Sequence, residues 1–376
     1  MGKKIGWAVV IIIVVVLIVI LSGSKNQEGA TDKSPITIGF VGPLNGDLAN
    51  LGLNAKSAVE IAVDEVNGAG GINGRPLQVI YEDGKCNGAD ASQAGNKLIN
   101  VDHVPVILGG ACSGETLAIA PIAEQTKTTM LSYCSSAPKV TEAGDYIFRD
   151  YPSDTYQGSY GAKFVKEQLG KTKVAILNVK TDWGDGIAGV FKKSFTEMGG
   201  TIVAEESFEQ TSHDLRAQLA KIKAAKPELV YFLSYTDASI PGLKQAADMK
   251  LNVPMLGGDA WDDPKIWADV GTIGEGAMYT VVSAAHGDTL GAKLKAKTGS
   301  EEVIACTPGA YDGIYILADI MKKVGTDSTA IKNALYQTNY KGGVSSDEIK
   351  FDINGDVVGA NYVVKVVKAG MAAPME

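Results

Sequence analysis

Apolar and polar positions follow two rhythms along this chain. Short apolar runs at 36–41, 77–81 and 104–108 read as strands, and each leads into a stretch whose apolar residues recur three and four apart. In the first such stretch these are Leu53, Ala55, Ala58, Val59, Ala62, Val63 and Val66. It closes on Asn67-Gly68-Ala69-Gly70-Gly71, residues that end helices and open turns. A second helix is predicted over 89–99 and a third after Cys112-Ser113-Gly114, before a strand at 130–132. Strand–helix alternation of this kind predicts a parallel, doubly wound sheet with right-handed crossovers.

The rhythm restarts after Arg149-Asp150-Tyr151-Pro152. Helices over 156–169, 187–198, 215–225 and 239–249 alternate with strands over 174–178, 202–208, 229–233 and 254–257. A strand at 277–282, helices at 310–324 and 329–336, and a hairpin over 351–367 turning at Asn354-Gly355-Asp356 complete the pattern. No low-complexity linker separates the halves, so the expectation is two α/β lobes hinged about a cleft.

Residues 5–21 fit neither rhythm. They are almost unbroken Val and Ile, preceded by Lys3 and Lys4 and followed by polar residues to Ser34. At 1.5 Å per residue the run covers roughly 25 Å, near the lower limit for a membrane helix. Its charged flank would leave the N-terminus in the cytoplasm and the remainder outside. The expectation is a signal or anchor helix at 1–24 and a polar tether at 25–35. Retention would leave the protein anchored on the outer face of the cell membrane. Cleavage after Ser24 is the alternative, releasing it to the periplasm or medium. Ser24 stands where a lipidated cysteine would be required, which excludes lipidation.

Composition narrows the function. A formal net charge of -8 without a basic cluster argues against nucleic acid. Four cysteines, none in C-x-x-C spacing, fit an oxidising compartment and not a metal knuckle, and the three histidines are isolated. Gly110-Ala111-Cys112-Ser113-Gly114 misses the G-x-S-x-G nucleophile elbow by one place. There is no P-loop lysine, and the glycine-rich stretch at 67–74 follows a helix instead of a strand. An enzyme is therefore not expected, nor a cofactor or metal.

What remains points to a small-molecule site. Ser113 stands at a helix start and Ser135-Ser136 at the next strand end, on one carboxyl edge of the predicted sheet, where open α/β folds bind ligands. Trp183, Tyr235 and Asp259 fall at the corresponding strand ends of the second half. An acid facing hydroxyls and a helix N-terminus suits a zwitterion. Each feature also has a structural reading: Ser113 as an N-cap, Ser135-Ser136 as a turn, Trp183 and Tyr235 as loop packing, and Asp259 as the cap of a helix beginning near Asp263-Pro264.

In order along the chain, the motifs Ile-Gly-Phe-Val-Gly-Pro-Leu-Asn-Gly (38–46), Asp-Glu-Val-Asn-Gly-Ala-Gly-Gly-Ile-Asn-Gly-Arg-Pro-Leu (64–77), Glu-Asp-Gly-Lys-Cys (82–86), Gly-Gly-Ala-Cys-Ser-Gly-Glu-Thr (109–116), Ser-Ser-Ala-Pro (135–138), Phe-Arg-Asp-Tyr-Pro-Ser-Asp-Thr-Tyr-Gln-Gly (148–158) and Ala-Tyr-Asp-Gly-Ile-Tyr (310–315) resemble one family. It is that of the type I periplasmic binding proteins of ABC transporters, in the leucine/isoleucine/valine-binding branch. The resemblance spans 36 to about 368. It implies two lobes joined by three hinge strands, with 36–150 and 283–345 in lobe 1, and 151–282 and 346–376 in lobe 2. It implies a monomer that delivers an amino acid to ABC permease membrane subunits, with a sensor module on the same fold as the alternative. With no further domain read after Glu376, transport is the expectation.

By the same resemblance Ser113 would bind the ligand carboxylate, and Cys134, Ser135 and Ser136 would offer backbone groups and a hydroxyl. Trp183 and Tyr235 would stand as the cleft aromatics and Asp259 as the ammonium partner. Cys86 and Cys112 would form the family disulfide. Three residues depart from the pattern. Trp183 replaces a tyrosine, Asp259 is one methylene shorter than the family's glutamate, and Cys134 replaces a small apolar residue. These keep an amino acid or close analogue as the ligand and leave the preferred side chain open. Spacing does not decide whether Cys134 and Cys306 pair.

Overall fold

The computed structural model describes residues 32–46, 48–359 and 361–375. Pro35–Glu376 forms one compact unit. The expected leader and membrane helix lie outside the described residues, among which no helix is long and apolar enough to cross a membrane.

The chain opens with β1 (Ile36–Gly42), α1 (Ala49–Gly68), β2 (Leu77–Asp83), α2 (Gly88–Asn100), β3 (Val106–Leu108), α3 (Ser113–Thr126), β4 (Thr129–Ser132) and β5 (Ile147–Arg149). The strands form a sheet of order β2-β1-β3-β4-β5 in which every neighbouring pair is parallel. The order reverses between β1 and β3. Their following segments therefore leave on opposite faces, and a crevice opens beyond their carboxyl ends.

The second lobe contains α4 (Asp154–Lys163), β6 (Lys173–Val179), α5 (Asp182–Glu197), β7 (Thr201–Phe208), α6 (Arg216–Ala225), β8 (Leu229–Leu233), α7 (Thr236–Asp248), β9 (Met255–Gly257), α8 (Pro264–Val270) and β10 (Met278–Val282). The chain then returns to the first lobe through α9 (Gly287–Thr298), α10 (Thr307–Val324), α11 (Ser328–Leu335), β11 (Asn339–Lys341) and β12 (Glu348–Lys350). It ends in the second sheet with β13 (Tyr362–Lys368) and β14 (Met371–Pro374). That sheet has the order β14-β13-β10-β9-β8-β6-β7, parallel from β7 to β10 and antiparallel at β13 and β14. Its order reverses at β6, between β7 and β8, which gives a second crevice.

Two cores follow the lobes. In the first, α10 presents Ala310, Ile314, Leu317 and Met321, spaced three and four apart, to a cluster that includes Ala55, Ala58, Val59 and Ala62 of α1. Alanines on α1 let the helices approach closely, and each fully buried large side chain contributes about 1.5–3 kcal/mol. In the second, Ile176, Leu177, Phe191, Phe195, Tyr231 and Phe232 fill the space between sheet and helices.

The C-terminal part differs from the sequence expectation in two ways. Phe351 and Val357 form only an isolated bridge around Asn354-Gly355, and the hairpin lies further on, with β13 pairing β14 from Lys368–Met371 outward. Its turn residues Ala369 (φ 51°) and Gly370 (φ 76°) both have the positive φ that a tight type I′ turn requires. In addition, Ile349, Phe351 and Val357 are buried in the first lobe's core. The passage into the second sheet thus falls after 357, not at 346, because these apolar residues find their partners in lobe 1. The helix α9 was missed because its apolar face is narrow, with Leu290 and Leu294 buried in a lysine-rich stretch.

Candidate functional site

At the first crevice, α1 follows β1 and α3 follows β3. The start of α3 is fixed from beneath by Glu115, a fully buried carboxyl. Its Oε2 accepts the amides of Ala111 and Cys112 (both 2.9 Å), and its Oε1 accepts that of Cys86 (3.0 Å). Burial pushes Glu115 up to about 7, against the pull of these three N–H groups. A Cβ at Gly84 would lie 2.2 Å from Oε1, so this approach requires glycine. The first amides of a helix lack the usual intrahelical acceptors, which makes the start of α3 a candidate anion site. Ser113 Oγ accepts the Ala137 amide at 3.0 Å, joining this helix start to the turn after β4.

That turn is held by Arg149, which is wholly buried. Its Nε and Nη2 donate to Asp356 at 2.6 and 2.7 Å, and its Nη1 donates to the Ala137 carbonyl at 2.9 Å. Ser135 turns inward, with its Oγ 2.7 Å from Thr116 Oγ1 and donating to the Gly110 carbonyl at 3.1 Å. It secures the sheet edge and does not line the cavity. Ser136 does line it.

The second crevice supplies the opposing wall. Trp183 lies in the first turn of α5 after β6, and Tyr235 caps α7 after β8. Their rings stack with centroids 4.9 Å apart and planes 22° apart. Asp259 follows β9 and is 6 % exposed. Burial raises its carboxyl to about 6, against the nearby Tyr151, Ala260 amide and Gln157. Behind it lies Asp154, whose carboxyl oxygens are buried without hydrogen-bond partners among the described residues. Burial and the nearby Asp259 raise the Asp154 carboxyl well above its ordinary value, against the pull of Arg149. The capping role open to Asp259 belongs to Asp263, whose Oδ1 accepts the Lys265 amide at 2.9 Å.

Ser113, Cys134, Ser136, Trp183, Tyr235 and Asp259 line one cavity between the lobes. Sequence reasoning missed Leu48, Leu51, Thr236, Asp263, Ile304 and Ala305 on its walls. Leu48 and Leu51 stand in the loop and helix after β1, so the strand-end rule that selected Ser113 applies to them as well. Asn50 Nδ2 donates to Asp263 Oδ1 at 3.0 Å, and Lys139 Nζ lies 2.8 Å from Asp182 Oδ1, so the lobes meet across the cavity mouth. Two disulfides border the cavity, Cys86–Cys112 and Cys134–Cys306, with Cα separations of 5.2 and 5.1 Å. Among the described residues no cluster of three or more His, Cys, Asp or Glu could hold a metal.

The sequence pattern of the periplasmic binding proteins matches residues 35–371. The chain belongs to that family. It is 28 % identical to a leucine-, isoleucine-, valine-, threonine- and alanine-binding protein of Pseudomonas aeruginosa, over 88 % of this chain and 89 % of the relative. Among solved structures, a leucine-binding protein of Thermotoga maritima is 26 % identical with a TM-score of 0.83, over 91 % of this chain and 98 % of that one. A branched-chain amino acid transporter substrate-binding protein of Streptococcus pneumoniae, in complex with isoleucine, is 26 % identical with a TM-score of 0.82, over 90 % and 98 %. Family membership makes this a binding protein with an extracytoplasmic setting, and its two-lobed fold makes the cavity the candidate ligand site.

Proposed function

We propose that this chain is the extracytoplasmic receptor of an ABC importer. It binds an amino acid with a branched-chain or similarly small side chain between its lobes and presents it, as a monomer, to the permease membrane subunits. The observation that carries this reading is the placement of Asp259 on the same cavity as Ser113 at the start of α3. A free amino acid needs an anion site and an acid a few ångströms apart, and the two crevices supply one each. The ligand carboxylate would meet the amides of α3 and the hydroxyls of Ser113 and Ser136. Its ammonium would meet Asp259, and its side chain the apolar residues and the Trp183–Tyr235 stack. Closure would remove water from both charges and strengthen each contact. The leader at 1–24 either anchors the receptor or is removed on export.

The test is a melting-temperature screen of residues 34–376 against the twenty amino acids and short amides. A ligand at 100 times its Kd adds about 2.7 kcal/mol, a shift of a few degrees for a protein of this size. The expected result is a response to aliphatic L-amino acids that disappears in Ser113→Ala and Asp259→Ala. A well-folded protein silent across the panel would overturn the zwitterion reading.

A further inference from the structure

Leu48, Cys86 and Cys112 form a small buried cluster of their own, apart from the first lobe's core, and the side chain packed against it is Tyr235 of the second lobe. We infer that Leu48 and the Cys86–Cys112 cystine are the seat on which Tyr235 lands when the lobes close, which makes them positioning residues for closure. The contact would serve any ligand that the cleft encloses, so it does not rest on the amino-acid reading above.

Three observations carry the inference. First, the seat is apolar and its cover comes from the other lobe. Leu48 follows β1, Cys86 follows β2 and Cys112 follows β3, so all three stand beyond the carboxyl ends of the first sheet. All three are buried with Tyr235 in place. Tyr235 also packs against the second lobe's core, so this one side chain joins apolar clusters of both lobes. Moving it away returns apolar surface on the seat and on the ring to water.

Second, the seat is held entirely from within lobe 1. The loop that carries Cys86 has left-handed backbone at two successive residues with side chains, Lys85 (φ 49°) and Cys86 (φ 55°). Such residues adopt that conformation only where their surroundings hold them. Here the holders are the bond to Cys112, Glu115, which accepts the Cys86 amide, and Asp83, whose Oδ1 accepts the Lys85 amide at 3.0 Å. The seat is therefore formed before the second lobe arrives.

Third, Cys86 meets the second lobe through its backbone as well. Its carbonyl accepts Gln210 Nε2 at 3.4 Å, from the turn after β7. Among the described residues neither Cys86 nor Gln210 lines the ligand cavity, so this contact answers to the fit of the lobes and not to the ligand.

Two measurements test the seat, on the wild type, Leu48→Ala, Tyr235→Ala, their double variant, and Cys86→Ser/Cys112→Ser with Cys134–Cys306 kept. Small-angle scattering of the ligand-free proteins should give a larger radius of gyration for every variant than for the wild type. In calorimetry with valine, Leu48→Ala and Tyr235→Ala should each weaken binding by at least about tenfold, mainly through faster dissociation. The Leu48→Ala/Tyr235→Ala protein should bind no more weakly than the poorer single variant, because either change empties the same contact. If the cysteine variant does not fold, the Leu48 and Tyr235 variants decide. A radius unchanged from the wild type, or losses that multiply in the double variant, would overturn the seat. A wild type that does not bind valine would count against the amino-acid reading alone, and scattering would then decide the seat by itself.

Discussion

On the proposed reading, Asp259 makes the binding of an ammonium ligand depend on pH, with a sign opposite to its effect on the stability of the empty protein. Its carboxyl is raised from 3.8 to about 6 by burial. A shift of that size corresponds to about 3 kcal/mol of differential interaction between its two protonation states. The folded, ligand-free protein holds the proton more tightly than the unfolded chain does. Ionised Asp259 therefore lowers stability by up to about 3 kcal/mol above pH 6, and the penalty fades as pH falls toward 3.8. Ligand binding runs the other way, because an ammonium pairs with the carboxylate and not with the acid. With a carboxyl titrating near 6, the apparent Kd is unaffected at pH 8 and about tenfold weaker at pH 5.

The groups that face Asp259 are Tyr151, Gln157, Asp154, Tyr231, Tyr235 and Tyr362. Burial raises Asp154 and all four tyrosines, so Asp259 is the member of this set expected to titrate between pH 5 and 7. Isothermal titration with valine at pH 5, 6, 7 and 8, in two buffers of different ionisation enthalpy, reads both Kd and protons released. Proton release should approach one per ligand at pH 5 and vanish at pH 8. In Asp259→Asn the profile should be flat and binding weaker by at least about thirty-fold, the loss expected when a buried charge loses its partner. A wild-type Kd constant from pH 5 to 8, in protein shown to be folded throughout, would refute the pairing of the ligand amine with Asp259.

Other consequences can be read from the same geometry. Arg149→Met leaves Asp356 without its buried partner and frees the Ala137 carbonyl, so denaturant unfolding should show a loss of about 3–5 kcal/mol. Glu115→Gln presents an amide NH₂ where the carboxylate accepts three N–H groups. A loss of about 1–3 kcal/mol in stability is expected, together with weaker ligand binding, since the start of α3 is no longer held. Trp183→Ala removes one face of the aromatic stack, and calorimetry should show affinity reduced at least about tenfold with little change in the pH profile. Asn50→Ala removes a contact between the lobes, so scattering of the ligand-free protein should report a larger radius of gyration while ligand restores the compact value.

Much of this arrangement was legible in the chain because strand ends can be counted from sequence. The alternation of apolar runs locates β3, β4, β6, β8 and β9, and the residues just beyond them include Ser113, Cys134, Ser136, Trp183, Tyr235 and Asp259. What sequence could not reach was direction and distance. Ser135 and Ser136 are neighbours with opposite fates, because the Ser135 hydroxyl turns to the Gly110 carbonyl while Ser136 lines the cavity. Arg149 and Asp356 are 207 residues apart, and no local periodicity joins them. Glu115 reads as an ordinary first-turn acid until the loops above it bring three amides within 3.0 Å. The pairing of Cys134 with Cys306 depends on where α10 starts relative to β4, which only the packed lobe fixes.

These hidden contacts divide unequally between the two lobes. The first lobe's binding edge is held by Glu115, by the Arg149–Asp356 pair and by two disulfides, all of which remain in place if the second lobe moves away. The contacts between lobes are weaker. Lys139 is 74 % exposed where it meets Asp182, and a pair of that kind contributes at most about 1 kcal/mol. The Asn50–Asp263 hydrogen bond, to a charged acceptor, adds about 1.5–3 kcal/mol before the cost of removing water. Against these stands Asp259, whose burial disfavours its ionised form when no ammonium is beside it. Few polar contacts therefore hold the two lobes of the empty protein together. A ligand that converts the cost at Asp259 into an ion pair, while meeting the fixed edge of lobe 1, supplies the difference in affinity between the two states. Moving such a balance from mostly open to mostly closed requires about 5.5 kcal/mol. On the proposed reading, one ammonium contact and one carboxylate contact, each desolvated on closure, would supply most of this, so closure would be driven by the charged groups that every amino acid shares and selection among amino acids left to the side-chain surroundings.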